Sequence, residues 1–306
     1  MFTAKIRKKL AQFLKNSATV KCFHDTDQDG MSAAAIVRTK YPDASFIAAH
    51  YSDDFNLNDL VNDGDTVIIV DFSIEPEMMK DVLKKADEVI WLDHHISAIK
   101  KYEGFEFDIN GTRDISKAAT MLTWEFFYPD DEAPQAIKYV NDFDIFEFKY
   151  GAKSKQFISA SALYDIGAES EFWEKLIKGD KDLLKEVLDK GKISYEWEMD
   201  SYRSIANSVG YEILYDGMIA YCINTKARGY YGDVVKKMGY NLVFCYQYDG
   251  ENYRFSVYSR DDDIDASKIA EKFGGGGHKG ASGFSVKEIP EEFLKKYERS
   301  VLITEE

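Results

Sequence analysis

The chain has 306 residues, of which 45% are hydrophobic, so it can bury the core of one large domain or of two ordinary ones. Its formal net charge of −15 excludes the broad basic surface with which proteins bind long duplex DNA. Any nucleic acid partner is therefore expected to be short.

Cysteine usage and hydropathy predict a cytoplasmic protein. The three cysteines, Cys22, Cys222 and Cys245, lie far apart in apolar runs, which is typical of buried thiols in a reducing compartment. Residues 1–15 show the pattern of an amphipathic helix and lack the apolar core of a signal peptide. No stretch is long and apolar enough to span a membrane, so we expect no membrane partner.

The first half of the chain alternates short apolar strands with helical patterns. This alternation predicts a parallel sheet covered on both faces, with ligands at the carboxyl ends of its strands. The predicted elements are a strand at Val20–Phe23, a helix at Met31–Lys40, strands at Ser45–Ala49 and Asp65–Phe72, a helix at Glu77–Ala86 and a strand at Glu88–Asp93.

The second half begins with charged helices at about 170–208 and continues as a smaller α/β block. That block contains a strand in "GMIAYCIN", a helix in "YGDVVKKMG", a hairpin across "DGEN", a helix in "DASKIAEKF" and the glycine run "GGGGHKGASGF". We predict an α/β protein with three parts: a parallel-sheet catalytic domain at 1–165, a helical connector at 166–210 and a smaller substrate-binding α/β domain at 211–306, with a cleft between the two domains.

Carboxylates and imidazoles follow the predicted strands at the edge where ligands bind. "HDTDQDG" (24–30) follows the first strand, Asp71 follows "VIIV", and "DHH" (93–95) follows "VIWL". Several carboxylates at one strand edge repel one another unless cations lie between them. A mixed set of carboxylates and imidazoles suits Mn²⁺, Fe²⁺, Co²⁺ or Zn²⁺ better than Ca²⁺. The sequence therefore predicts a transition-metal site.

These motifs, taken with the glycine run, resemble the DHH phosphoesterase superfamily, in the branch with the glycine-rich DHH-associated C-terminal domain. The resemblance covers about residues 20–285 and is greatest to the nanoRNase or RecJ-like members. It implies a dinuclear metal centre, usually Mn²⁺ with Mg²⁺ or Co²⁺ as alternatives, on the N-terminal domain.

The resemblance assigns roles to individual residues of the N-terminal domain. Asp71 matches the carboxylate that bridges both ions, and His95 matches a second-shell or phosphate-contacting position. His24 stands one residue closer to Asp27 than in many relatives, so Asp25 or solvent could replace it as a ligand. The expected metal ligands are His24, Asp27, Asp29, Asp71, His94 and Asp142, with Asp142 preferred to Asp144, and the expected catalytic residues are Asp71, His94 and His95.

Substrate contacts are expected in the C-terminal domain. Successive glycines allow backbone N–H groups to approach a phosphate, and the adjacent histidine and lysine can add charge. Where relatives often carry an arginine, this chain has Tyr258, which could stack on a base, and an arginine follows two residues later. Together with His95, the predicted substrate-binding residues are Arg228, Tyr258, Arg260, Gly275, Gly276, Gly277, His278 and Lys279.

The resemblance implies a metal-dependent phosphodiesterase that degrades short single-stranded RNA or DNA oligomers to mononucleotides by means of a metal-activated water. An alternative is hydrolysis of small nucleotides, namely cyclic or linear dinucleotides or 3′-phosphoadenosine 5′-phosphate. A nucleotide-binding regulator without catalysis is a further alternative. A homodimer is compatible with all three.

Overall fold

The computed structural model describes residues 19–49, 56–227 and 229–297, and these divide into two compact units between Tyr195 and Glu196. The predicted N-terminal helix at 1–15 and Arg228 lie outside the described residues. The domain boundaries at 165 and 210 stay predictions.

The first unit is built on a four-stranded parallel sheet in the order β2-β1-β3-β4. Its central strands are continuous apolar runs because helices cover both faces, which confirms the predicted sheet. The strands are β1 (Val20–His24), β2 (Ser45–Ala48), β3 (Thr66–Val70) and β4 (Glu88–Leu92).

Eight helices surround this sheet or follow it within the described part of the chain. They are α1 (Gln28–Lys40), α2 (Pro76–Lys85), α3 (Ile96–Lys101), α4 (Ala119–Phe127), α5 (Gln135–Asp144), α6 (Ala152–Ser161), α7 (Glu171–Ile177) and α8 (Lys181–Val209), the last of which crosses the division between the units.

Helix α1 starts immediately after β1, at the turn that carries the first acidic motif. Asp27 caps the helix by accepting a hydrogen bond from the amide of Gly30 at 3.1 Å. A Cβ atom on Gly30 would lie 2.5 Å from the carbonyl oxygen of Asp25, so only glycine allows the chain to fold back this closely. The tight turn holds Asp29, which directly precedes Gly30, against the end of the sheet.

A fully buried ion pair ties the beginnings of β1 and β3 together. Lys21 Nζ lies 2.6 Å from Asp65 Oδ2 and also donates to the carbonyl of Leu60 at 2.6 Å. Asp65 in turn accepts hydrogen bonds from the backbone amides of Thr19 and Asn62, both at 2.7 Å. Both charges are thus desolvated but hydrogen-bonded, as a buried pair requires.

The second unit is a six-stranded mixed sheet in the order β5-β6-β7-β8-β10-β9. The predicted strand, both helices and the hairpin across Asp249–Asn252 are confirmed, whereas β5, β9 and β10 were not predicted. The elements are β5 (Gly210–Tyr215), β6 (Met218–Asn224), α9 (Tyr230–Lys237), β7 (Leu242–Tyr248), β8 (Tyr253–Ser259), α10 (Ala266–Glu271), β9 (Gly276–His278), β10 (Ala281–Val286) and α11 (Glu291–Leu294).

All three cysteines are buried free thiols, as the sequence predicted. Burial raises the pKa of the Cys22 and Cys245 thiols, so neither is poised as a thiolate. Among the described helices, none combines the length and apolarity that crossing a bilayer requires.

Candidate metal centre

The ends of β1, β3 and β4 bring the predicted acidic motifs together. His94 Nε2 lies 3.6 Å from Asp29 Oδ2, 3.4 Å from Asp71 Oδ1 and 3.3 Å from Asp144 Oδ2. Asp29, Asp71 and His94 are all buried. One imidazole nitrogen is therefore surrounded by three carboxylates at the carboxyl edge of the sheet.

Asp71 is held in an unusual backbone conformation. It follows β3 directly with φ +53°, in the left-handed region that few residues other than glycine, asparagine and aspartate adopt. Its Oδ1 atom is buried with no hydrogen-bond partner among the described residues. Burial, followed by the charges of Asp29, Asp27, Asp144 and Asp93, raises the pKa of Asp71 well above its usual range.

Asp29 acts as a cap for a helix elsewhere in the unit. Its carboxylate accepts hydrogen bonds from the amides of Ala119 and Thr120, both at 2.7 Å, at the start of α4. These bonds and a contact with Asp71 favour the charged form, but burial and the charge of Asp27 outweigh them and raise the pKa of Asp29 to about 7.

Asp93 orients the two histidines that follow it. Its Oδ1 accepts from the amides of His94 at 2.8 Å and His95 at 3.2 Å, and from His95 Nδ1 at 2.7 Å. Burial lowers the pKa of His95, but the hydrogen bond and charge of Asp93, with the charges of Asp29 and Asp27, raise it overall. Asp93 fixes the imidazole of His95 and favours its charged form.

His24 is buried at the end of β1, and its Nδ1 lies 2.7 Å from the carbonyl oxygen of Asp25. Because a carbonyl only accepts, Nδ1 carries the proton and Nε2 carries the lone pair. Burial lowers the pKa of His24, which keeps the ring neutral as a metal ligand must be. The described groupings of ligand atoms do not include His24, so its predicted ligation stays a prediction.

The structure places Asp144, and not the preferred Asp142, beside His94. Asp142 is fully buried and accepts from the amides of Lys149 at 2.7 Å and Tyr150 at 3.3 Å and from Ser154 Oγ at 2.6 Å. It therefore fixes the turn from α5 into α6. Asp144, which is partly exposed, lies beside His94 instead.

The arrangement fits divalent cations. Two groups of possible ligand atoms, each within 4.8 Å, are Asp71 with His94 and His95, and Asp29 with His94 and Asp144. A buried carboxylate oxygen without a partner and raised carboxylate pKa values are what a site built for cations shows in their absence. Because His95 Nδ1 already donates to Asp93, that nitrogen is unavailable as a ligand.

In the second unit, Arg260 binds the protein itself. Its Nε lies 2.8 Å from Asp233 Oδ1, and its Nη atoms donate to the carbonyls of Ser259, Gly280 and Gly229 at 2.9, 3.3 and 3.0 Å. This network ties the start of α9 to the β9–β10 turn. Arg260 therefore positions these two segments, and its predicted contact with substrate stays a prediction.

Two glycines of the run, Gly276 and Gly277, lie in strand β9, and the predicted role of the run in phosphate binding stays a prediction. The amide of Gly275 donates to the carbonyl of Ala270 at 2.9 Å, and Gly276 and Gly277 pair with β10. A Cβ on Gly275 would lie 2.1 Å from the carbonyl oxygen of Gly283. Gly277 has φ +140°, and a Cβ there would lie 2.6 Å from Ser282. Packing against β10 therefore explains why Gly275 and Gly277 are glycines.

The other predicted substrate residues of this unit differ in exposure. His278 and Lys279 are exposed at the end of β9, as a phosphate contact requires. Tyr258 is 9% exposed, since it lies in β8 between β7 and β10, and offers little surface for stacking on a base.

Sequence reasoning missed the backbone donors at Ala119 and Thr120 and the orienting role of Asp93. Backbone amides cannot be recognised from residue types. Only the lack of a local capping side chain at the start of α4 indicates that these amides need an acceptor from elsewhere. Asp93 was visible as the first letter of "DHH", directly before two histidines.

Comparison with known proteins finds a family match in the second unit. A family model described as the DHHA1 domain matches residues 211–301. An uncharacterized protein of Acanthamoeba polyphaga mimivirus is 25% identical over 298 residues, covering 89% of this chain and 68% of that protein.

Two solved structures share the fold. A DHH domain described as a member of the s1p family of ribosomal proteins is 15% identical with a TM-score of 0.60, covering 95% of this chain and 88% of that chain. The pGpG-specific phosphodiesterase PggH from Vibrio cholerae is 14% identical with a TM-score of 0.52, covering 89% and 94%. The predicted resemblance and fold class are confirmed by these matches.

Proposed function

We propose that this chain, whose residues 211–301 match the DHHA1 domain, is a metal-dependent phosphodiesterase of the DHH family that hydrolyses short single-stranded oligonucleotides to mononucleotides. The observation that carries the proposal is the buried cluster around His94, in which three carboxylates converge on one imidazole. A structural role does not explain it, because Asp71 Oδ1 has no hydrogen-bond partner among the described residues and burial opposes its charge.

The residues proposed to hold two Mn²⁺ ions are Asp27, Asp29, Asp71, His94 and Asp144, with His24 as a further proposed ligand. Bound divalent ions supply Lewis acidity towards a phosphoryl oxygen and lower the pKa of a water. Asp71 is the proposed shared ligand because its carboxylate contacts His94 and interacts with the charges of Asp29, Asp27 and Asp144. His94 offers one lone pair at Nε2 and can serve one ion only.

His95 is the proposed phosphate contact of this unit. With its Nδ1 proton donated to Asp93, the ring keeps Nε2 for substrate, and its raised pKa favours the positively charged donor. It can thereby stabilise negative charge on a non-bridging phosphoryl oxygen in the transition state. His278 and Lys279 are proposed contacts of the second unit.

The acidic chain supports a short substrate, since a net charge of −15 disfavours long polyanions. The structural neighbour from Vibrio cholerae, named as specific for pGpG, favours a linear dinucleotide as a second candidate.

The test is turnover of a matched panel with Mn²⁺, each substrate with a chelator control. The panel contains RNA and DNA oligomers from dimers to pentamers, pGpG, cyclic di-AMP and 3′-phosphoadenosine 5′-phosphate. Chelator-sensitive release of mononucleotides, fastest on the short oligomers, is the expected result.

Turnover of one small nucleotide alone would replace the oligonucleotide proposal by that substrate. Binding of nucleotides without turnover of any of them, in protein shown to bind Mn²⁺, would favour the regulator and overturn the enzymatic proposal.

A further inference from the structure

The first unit carries a second polar feature, an open groove between α6 and α8. Its volume is about 370 Å³, within the range of small-molecule sites. Four lysines line it: Lys153 from α6, and Lys181, Lys185 and Lys192 from α8. None of them belongs to the metal centre, and no predicted site residue lines the groove.

The groove is positive in a strongly negative chain. Its four lysines face one carboxylate, Asp189, which gives a formal net charge of +3. Asp189 pairs with Lys185 at 2.6 Å, whereas Lys153, Lys181 and Lys192 make no ion pair within the described ranges. Unlike them, Lys190 of the same helix pairs with Glu186 at 2.7 Å. The groove therefore concentrates uncompensated cations.

The groove has an apolar floor. Leu184 and Leu188 line it while packing against the buried cluster that contains Phe157 and Trp173. Lysine ammonium groups beside apolar side chains suit a ligand that carries both a phosphate and a flat apolar group.

Close contact between the two helices fixes the shape of the groove. A Cβ on Gly191 would lie 2.2 Å from the carbonyl oxygen of Gln156, so α8 touches the backbone of α6 at this point. Ser159 Oγ and Ser194 Oγ are hydrogen-bonded at 2.8 Å one turn further along. Backbone contact and this bond make the groove a preformed feature rather than a gap between mobile side chains.

Helix α6 also contacts the elements of the metal centre. Ser154 donates to Asp142 of α5 at 2.6 Å, and Gln28 of α1 donates to the carbonyl of Ile158 at 3.1 Å. The helices that carry Asp29 and Asp144 are thus directly joined to one wall of the groove.

We propose that this groove is a second binding site, for the phosphate group of a nucleotide whose base lies on Leu184 and Leu188. The phosphate is contributed either by a free mononucleotide or by the end of a short single strand. The inference does not depend on the proposed function, since it concerns binding and not turnover.

The test measures binding by calorimetry, at low salt with EDTA present, to the full chain. The probes are AMP, adenosine and a 5′-phosphorylated single-stranded DNA hexamer. The groove variant is Lys153→Gln combined with Lys192→Gln. The matched control removes the same charge from two paired lysines outside the groove, Lys178→Gln combined with Lys190→Gln.

We expect the groove variant to bind AMP, the hexamer or both about tenfold more weakly than the parent, because each lost contact is a hydrogen bond to a charged group. The control should match the parent, and adenosine should bind more weakly than AMP. Weakened binding of the hexamer alone identifies a strand end as the source of the phosphate.

Equal binding by the parent and the groove variant would overturn the proposal, as would equal affinity for adenosine and AMP or no binding of either phosphorylated probe. Circular dichroism of both double variants checks that they fold. Loss of turnover in the substrate panel with binding intact would count against the enzymatic proposal alone.

Discussion

Asp71 combines a strained backbone with a desolvated charge at the centre of the candidate site. Left-handed backbone costs an ordinary residue roughly 1–2 kcal/mol, and burial raises the pKa of its carboxyl group well above the usual range. Neither feature stabilises the metal-free fold. Both are explained if bound cations repay the cost.

Replacing Asp71 with asparagine should separate function from folding. Asparagine tolerates φ +53° and keeps the shape of the side chain but cannot bridge cations, so phosphodiesterase activity should fall about 10³-fold. The melting temperature of the metal-free protein should stay the same or rise. Asp71→Ala is the control, since alanine should lose activity and also about 1 kcal/mol of stability in this conformation. An active Asp71→Asn enzyme would refute the assignment.

Asp142 and Asp144 should give opposite phenotypes when each is replaced with alanine. Asp142→Ala removes the acceptor of two amides and one hydroxyl. The free energy of unfolding, measured in urea, should fall by about 2–3 kcal/mol. Asp144→Ala should leave stability nearly unchanged and weaken metal binding and turnover. The reverse pattern would return the ligand role to Asp142.

Metal binding should release protons and strengthen as pH rises through neutrality. The pKa of Asp29 is about 7 and that of Asp71 is also raised, so the metal-free site holds protons that a cation must displace. Calorimetric titration of Mn²⁺ in buffers of different ionisation enthalpy at pH 6 and pH 8 measures the number released.

The same shifts make the metal-free fold less stable at higher pH. A carboxyl whose folded pKa exceeds its unfolded value of about 4 favours the folded state below that value, and this contribution is lost as pH rises towards about 7. Mn²⁺ should abolish this slope. A pH-independent affinity and a flat stability profile would contradict the account.

From the sequence we could predict which residues lie together at the strand ends, but not which face of a helix meets the candidate site. Parallel strands end at one edge, so Asp29, Asp71 and His94 could be grouped from their positions alone. Asp142 and Asp144 are two residues apart on α5, about 200° around the helix, and lie on opposite faces. Which face meets His94 depends on how α5 packs, which is tertiary information.

The structural roles of the glycine run and of Arg260 could not be predicted for a similar reason. Four consecutive glycines are locally typical of a loop, and only pairing with β10 places Gly276 and Gly277 in a strand. Arg260 packs over Gly232, where a Cβ would lie 2.7 Å from its guanidinium carbon. Such close approaches join distant segments and leave no local pattern.

Removing one charge of the Lys21–Asp65 pair should lower the free energy of unfolding more than removing both charges. Lys21→Met leaves a buried, unpaired aspartate and should cost about 3–5 kcal/mol of unfolding free energy in urea. Adding Asp65→Asn to that variant should recover part of the loss, because the amide oxygen still accepts from Thr19 or Asn62. A double variant no more stable than Lys21→Met would show that the charge is not the cause.

For the whole molecule, the charge of −15 sets the response of catalysis to salt. Repulsion of an anionic substrate is screened as the Debye length falls from about 30 Å at 0.01 M to about 8 Å at 0.15 M. We expect kcat/KM on a short oligomer to rise severalfold with KCl over that range, measured at saturating Mn²⁺. A steep fall instead would indicate that local cations dominate substrate capture.

Because the backbone at Asp71 is left-handed, substitutions there can abolish activity without a change that folding assays detect. The residues that accept this conformation most readily besides aspartate are asparagine and glycine, and each is one base change away from an aspartate codon. Both would remove the buried charge and leave a well-folded chain. Expression yield and thermal-shift screens would not distinguish such variants from the parent. Any survey of natural or engineered versions of this protein therefore needs a turnover assay.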